Sequence, residues 1–139
     1  MICGKPVDNN GTYVDYLKQD KKNNCSRIVD KSDPESKRAE LEYKVLDCIQ
    51  TEEKDPQYLS LVEIKLLTGR HHQIRVQFSG HGTPLYGDGK YGNNEKAVRK
   101  SLALCACHLK FKHPATGKIM DFQIKPDTGA FKLFSKSND

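Results

Sequence analysis

Hydrophobic and polar positions alternate most regularly in "AELEYKVLDCIQ", where Ala39, Leu41, Tyr43 and Val45 occupy every second position. Side chains of an extended strand point alternately to opposite faces, so this stretch predicts a half-buried strand. "YLSLVEIKLLT" follows the turn-like "EEKDPQ". Its more continuous apolar run predicts a second and more central strand over Leu59 to Leu67. "LCACHLKFKHP" sets Cys105, Cys107, Leu109 and Phe111 against Ala106, His108, Lys110 and Lys112, a further alternation. "HPATGK" then reads as a turn and "KIMDFQIKP" as its partner strand.

Helical spacing is sparser. In "GTYVDYLKQDKK", Tyr13, Tyr16 and Leu17 stand at helical spacing, with Thr12 as a possible N-cap, and predict one short helix. A second helix is predicted to begin near Arg70, capped by Thr68 and ended by Gly80 to Gly82. Within it Ile74 and Phe78, four apart, face the core, while His71 and Arg75 share another face. "TGAFKLFSKSND" offers a last helical turn carrying Phe131 and Phe134. Residues 1–11, with Gly4-Lys5-Pro6 and Asn9-Asn10-Gly11, carry turn chemistry and read as an opening loop. "DKSDPESKR" reads as a polar connector. The sum is a single α+β domain over residues 1–139, a mostly antiparallel sheet with a few short helices. No repeat or low-complexity segment interrupts it. "MICGKP" begins abruptly, as if cut from a longer chain.

Composition narrows the classes. A chain of 139 residues supports one domain with a real core. No apolar run approaches the roughly 20 residues that cross a bilayer, and the N-terminus lacks the form of a secretory signal, so a cytoplasmic protein without membrane partners is expected. Five cysteines, odd in number and irregularly spaced, argue for reduced thiols rather than a disulfide framework. The formal charge of +5 permits a nucleic-acid partner without demanding one.

The chemistry concentrates between Thr68 and Gly92, where two arginines, three histidines and six glycines fall in one stretch. Arg70, His71, His72 and Arg75 surround the expected helix start, which suits a phosphate or carboxylate. The glycines of "GTPLYGDG" imply a tightly turned loop. His71, His72, Cys105, Cys107 and His108 are zinc-ligand types. Their spacing lacks the paired CxxC or HxxxH of structural zinc sites, and Cys105 and Cys107 share a strand face with Leu109 and Phe111 that reads as core. No metal is therefore expected.

"LLTGRHHQIRVQFSGHGTPLYGDGKYG" resembles the motif of RluA-type pseudouridine synthases, a strand, T-G-R-(T/S)-H-Q-(I/L)-R, a helix, and G-H-P-(I/L)-x-G-D-x-x-Y-G. "LALCACHLKFKHPATGKIMDFQIKP" resembles the family's next strands, and "GKPVDNNGTYVDYLKQD" with "KRAELEYKVL" its preceding segment, so the resemblance covers nearly the whole chain. His71 stands where Thr or Ser is usual, and Thr83 where His is usual. Nothing in the chain matches H-R-L-D-x-x-T-S-G, which carries the family's catalytic aspartate, or the active-site tyrosine that follows it.

The resemblance implies the C-terminal portion of a pseudouridine synthase catalytic domain, inactive alone. It implies an enzyme that isomerises uridine to pseudouridine in ribosomal or transfer RNA without cofactor or metal, a monomer in its full-length form. A non-catalytic RNA-binding module is the alternative. By motif position Arg75 is the catalytic arginine, the partner of the missing aspartate. Arg70, His71, His72, Lys90, Lys110 and Lys112 are assigned to RNA, with Lys96, Arg99, Lys100 and Lys118 extending the track. His72 and Gln73 hold the helix start, Leu66 or Leu67 packs under the flipped base, and Asp88 satisfies loop N–H groups. Asp88 is also the aspartate of this chain to test as nucleophile.

Overall fold

The computed structural model describes residues 1–52, 56–92 and 101–135. Seven strands and two α-helices follow in chain order: β1 (Ile2–Cys3), β2 (Asn10–Asp20), β3 (Cys25–Ile28), β4 (Lys37–Gln50), β5 (Tyr58–Leu66), α1 (Gln73–Gly80), β6 (His108–Lys112), β7 (Ile119–Gln123) and α2 (Lys132–Ser135). The first five form one sheet in the order β1-β5-β4-β2-β3, and β6 pairs with β7 in a separate hairpin. Every pairing is antiparallel. The mostly antiparallel α+β arrangement expected from the sequence is present.

β4 behaves as its alternation predicts. Ala39, Leu41 and Tyr43 are buried on one face, and a register shift falls between Val45 and Asp47. It is β4, not β5, that holds the middle of the sheet, because β5 has only the two residues of β1 on its other side. An apolar run predicts β5 as the more central strand, yet Leu66 at its end is 47% exposed.

The expected helix over residues 12–22 is a strand instead. Tyr13 and Leu17 fit a helical period and a strand period equally well. The strand wins because Gly11, Tyr13, Asp15 and Leu17 then share the inner face, while Asn10, Thr12 and Val14 face out. β2 pairs with β4 from Asn10–Lys44 to Leu17–Lys37 and turns into β3 through Lys21 to Asn24, with Asn24 left-handed at φ 48°. The opening residues are also more than a loop. β1 pairs with β5, Ile2 is 1% exposed, and the Met1 carbonyl accepts from Tyr86 N–H. A two-residue strand is too short to leave a period in the sequence.

α1 lies against β2 and β3. Phe78 is fully buried among Ile2, Leu41, Tyr43 and Leu85, with Tyr13 and Ile74 packed around it. Tyr13, Tyr43 and Phe78 meet at ring separations of 4.7 to 5.8 Å, two of them edge to face. Burying a phenylalanine of this kind contributes roughly 1.5–3 kcal/mol. Val76, two residues earlier on α1, packs with Leu17 and Ala39. A further cluster, Met1, Leu59, Ala103 and Phe134, ties the C-terminal turn to β5.

The strand expected from Leu104 starts only at His108. Its alternation is real, since Leu109 and Phe111 share a face with Phe122 and Met120 across the hairpin. That face is not core: Leu109 is 59% exposed, and Cys105 and Cys107 are half-buried. Of "EEKDPQ", residues 53–55 lie outside the described residues.

Candidate functional site

The site grows from the break after β5. Thr68 does not cap the helix, which begins three residues later than expected, at Gln73. The Thr68 hydroxyl donates to Gln73 Oε1 at 2.8 Å and itself accepts the Glu40 N–H. Gln73 Oε1 also accepts the Arg70 N–H, and its Nε2 donates to the Glu40 carbonyl. The buried Gln73 amide is therefore the strut that fixes the 68–72 turn onto β4.

His72 occupies the position before the helix with φ 54° and ψ 24°. A left-handed conformation is uncommon for a residue other than glycine and persists where the surroundings enforce it. His72 Nδ1 lies 2.7 Å from the Tyr91 hydroxyl, and its ring stacks on His71 at 3.8 Å. The expected pairing of His71 with Arg75 on one helix face fails, because His71 lies in the turn, where the 3.6-residue period does not apply. His71 reaches away instead, its Nδ1 2.9 Å from Ser26 Oγ and its Nε2 3.1 Å from Asn24 Oδ1. His72 is the histidine beside Arg75, with 3.5 Å between Nε2 and Nη1.

Arg75 projects from the first turn of α1 onto the glycine-rich loop. Its Nε donates to Asp88 Oδ2 at 2.8 Å and its Nη2 to Asp88 Oδ1 at 2.7 Å. The Asp88 side chain is wholly buried and that of Arg75 is 19% exposed. Asp88 Oδ1 also accepts the backbone N–H groups of Lys90 and Tyr91. Burial opposes the charged carboxylate. The Arg75 guanidinium and those two N–H groups outweigh it and hold the Asp88 pKa below its ordinary value. The same pair raises that of Arg75, so the guanidinium stays cationic. Tyr91 lies under the guanidinium at 4.9 Å.

Arg70 is joined to Gln73, and His71, His72, Arg75, Asp88 and Lys90 form a chain of contacts, with Lys90 Nζ bonded to the Asn24 carbonyl. Arg70 Nε is held by the Arg38 carbonyl. Arg70 and His71 line a polar cavity of about 400 Å³ with Ser26, Lys21 and Lys37. Leu67, 45% exposed, follows β5 beside this group. Lys110 and Lys112 lie apart on the hairpin, where Lys110 pairs with Asp121 at 3.3 Å. Lys118 lies in the turn that joins its strands. Lys96, Arg99 and Lys100 fall outside the described residues. Among the described residues no three His, Cys, Asp or Glu side chains are grouped to hold a metal ion. No helix there is long and apolar enough to cross a membrane.

Ser26, Asn24 and Tyr91 escaped the sequence reading as partners of this group. Tyr91 belongs to the motif, but its hydroxyl contacts residues 19 and 65 positions away, and no local pattern encodes that.

A small antiparallel α+β domain that clamps an arginine beside a basic cleft defines the class, and comparison with known proteins gives the family. A family model described as RNA pseudouridylate synthase matches residues 1–80. The chain is 40% identical over 103 residues to an RNA pseudouridine synthase of Aquifex aeolicus, covering 68% of this chain and 31% of that protein. It is 37% identical over 110 residues to the ribosomal large subunit pseudouridine synthase D of Zymomonas mobilis, covering 73% and 32%. With the dual-specificity RNA pseudouridine synthase RluA of Yersinia pestis it shares 35% over 92 residues, covering 66% and 42%. The fold matches the human RNA pseudouridylate synthase domain containing 1 with a TM-score of 0.73 at 20% identity, over 91% of this chain and 52% of that one. The chain belongs to the RNA pseudouridylate synthase family, as its motif implied. It spans about a third of the length of the first two of these relatives.

Proposed function

We propose that this chain is the arginine-bearing part of an enzyme that converts uridine to pseudouridine in RNA. The observation that carries the reading is the Arg75–Asp88 clamp. Two of the three guanidinium nitrogens are fixed by a buried carboxylate, which leaves Nη1 as the edge that can meet a second anion. In this reading that anion is the catalytic aspartate of the H-R-L-D segment, which the 139 residues do not include. The pairing keeps that aspartate ionised and oriented. Asp88 is then a positioning residue rather than the nucleophile, since both of its oxygens are engaged.

The reaction breaks the bond between ribose C1′ and uracil N1 and forms one between C1′ and C5. N1 gains a proton and C5 loses one, so no electrons are exchanged and no cofactor is required. The target base must leave its stack to reach the site. Arg70 and His71, at the polar cavity, and Lys90, bonded to the Asn24 carbonyl, hold the RNA backbone, and Leu67 packs toward the base. Without the aspartate segment the chain binds RNA and does not isomerise it.

The test is pseudouridine formation in ribosomal and transfer RNA, read by nucleoside mass spectrometry. It compares the 139-residue chain with a protein in which an H-R-L-D segment precedes it. Pseudouridine from the second and not the first supports the reading. RNA binding with no product from either supports the non-catalytic alternative.

A further inference from the structure

We propose that His72 and Arg75 form a two-donor receptor for a single oxyanion, and that His72 is a positioning residue of this site. The oxyanion is a carboxylate or a phosphate. Its identity in the whole enzyme rests on the functional reading above; the receptor itself rests on hydrogen-bond connectivity.

The Tyr91 hydroxyl oxygen accepts the Ser26 N–H at 2.9 Å and lies 2.7 Å from His72 Nδ1. Among the described residues Nδ1 is the one group in contact with this hydroxyl that can accept its proton, which assigns that proton to Nδ1, and burial pushes the Tyr91 pKa up, which keeps it in place. Burial, with the nearby His71, Arg75 and Lys90, lowers the His72 pKa and favours the neutral ring. A neutral imidazole that accepts at Nδ1 carries its hydrogen on Nε2. That Nε2–H faces Arg75 Nη1 at 3.5 Å. Both atoms are then donors, so they cannot bond to each other. Two donors of like polarity held side by side repel unless an acceptor bridges them. Asp88 does not serve, because its oxygens are taken by Nε and Nη2 of Arg75 and by the loop N–H groups. His72 is held in this pose at φ 54°, by Tyr91 on one side and the stacked His71 ring on the other. A strained residue that aims a hydrogen at a cation needs a reason, and a shared anionic ligand supplies one.

The test uses the isotope-labelled chain and long-range proton–nitrogen correlation of its imidazole rings at neutral pH, titrated with formate and, separately, inorganic phosphate. The expected result is an Nε2-protonated His72 whose signal moves together with the Arg75 guanidinium signals as the anion is added. Tighter response to formate identifies a carboxylate ligand, and tighter response to phosphate an RNA phosphate. His72→Asn tolerates the left-handed backbone but is too short to reach, and loses about tenfold in anion affinity. His72→Gln places an amide N–H near the Nε2 position and recovers much of that loss. An Nδ1-protonated His72, or an Arg75 response unchanged in His72→Asn, would overturn the proposal. Failure of the whole enzyme to form pseudouridine, with this response intact, would strike the functional reading and leave the receptor standing.

Discussion

Arg75 and Asp88, thirteen residues apart, meet through two near-parallel hydrogen bonds of 2.8 and 2.7 Å, with the carboxylate wholly buried. A bidentate pair of this kind fixes the guanidinium plane as well as its position. It joins α1 to the glycine-rich loop, and the rest of the site is arranged around it.

Removing one partner leaves the other charge without compensation. Asp88→Ala strands the Arg75 guanidinium and the N–H groups of Lys90 and Tyr91, and breaking a buried pair costs about 3–5 kcal/mol. Urea denaturation of the variant measures this. Asp88→Asn keeps an acceptor and loses less. A loss under about 1 kcal/mol for Asp88→Ala would show that the pair is not coupled to the fold.

The loop that carries Asp88 depends on Gly87. Its φ is 77°, and a Cβ there would stand 2.2 Å from the Ser101 carbonyl oxygen. Gly87→Ala therefore carries both backbone strain and a clash. It is expected to lower stability by on the order of 2 kcal/mol and to separate Asp88 from Arg75. Thermal unfolding reports the first effect, and the Arg75 side-chain nitrogen signals the second.

Stability depends on pH through His72 and Asp88. Burial, with His71, Arg75 and Lys90 nearby, lowers the His72 pKa below its ordinary value of 6.5. The unfolded chain then holds a proton just below pH 6.5 that the folded chain sheds, so stability rises as pH climbs to that value. Asp88 acts at acid pH: its depressed pKa contributes stability that is lost as pH falls below the ordinary carboxylate range. Denaturation midpoints at about pH 5 and pH 7 decide the first point, and equal midpoints would contradict it.

RNA affinity is expected to fall with salt, and the positions of the cations make the dependence local. Arg70 lies at the polar cavity beside His71, whereas Lys110 is paired with Asp121 on the separate hairpin. Arg70→Ala should reduce the slope of log affinity against log salt by about 1. Lys110→Ala should change it less. The reverse order would move the RNA track to the hairpin.

How much of this was legible in the sequence depended on the range of the interactions. β4 and the β6–β7 hairpin follow from alternation, because each carries its period within one stretch. The motif placed Gln73, Arg75 and Asp88 together without any geometry. β2 misled because Tyr13, Tyr16 and Leu17 satisfy two periods. Its inner face also includes Asp15, whose carboxylate is matched by Gln77 and His81 from α1 and its end, more than sixty residues on. The late start of α1 was hidden for a similar reason. Thr68 resembles an N-cap until Glu40 of β4 and the Gln73 amide claim its hydroxyl. The roles of Ser26, Asn24 and Tyr91 appear only when β3 is folded against the 70–72 turn.

The most direct test of the central claim is tritium release from RNA labelled at uridine C5, catalysed by the chain joined to an H-R-L-D segment, with and without Arg75→Ala. C5 gives up its hydrogen only when the new bond forms, so release reports the isomerisation itself. Arg75→Ala is expected to abolish release, by a factor of about a thousand or more, while RNA affinity changes less than tenfold. Release at the unsubstituted rate would contradict the assignment of Arg75.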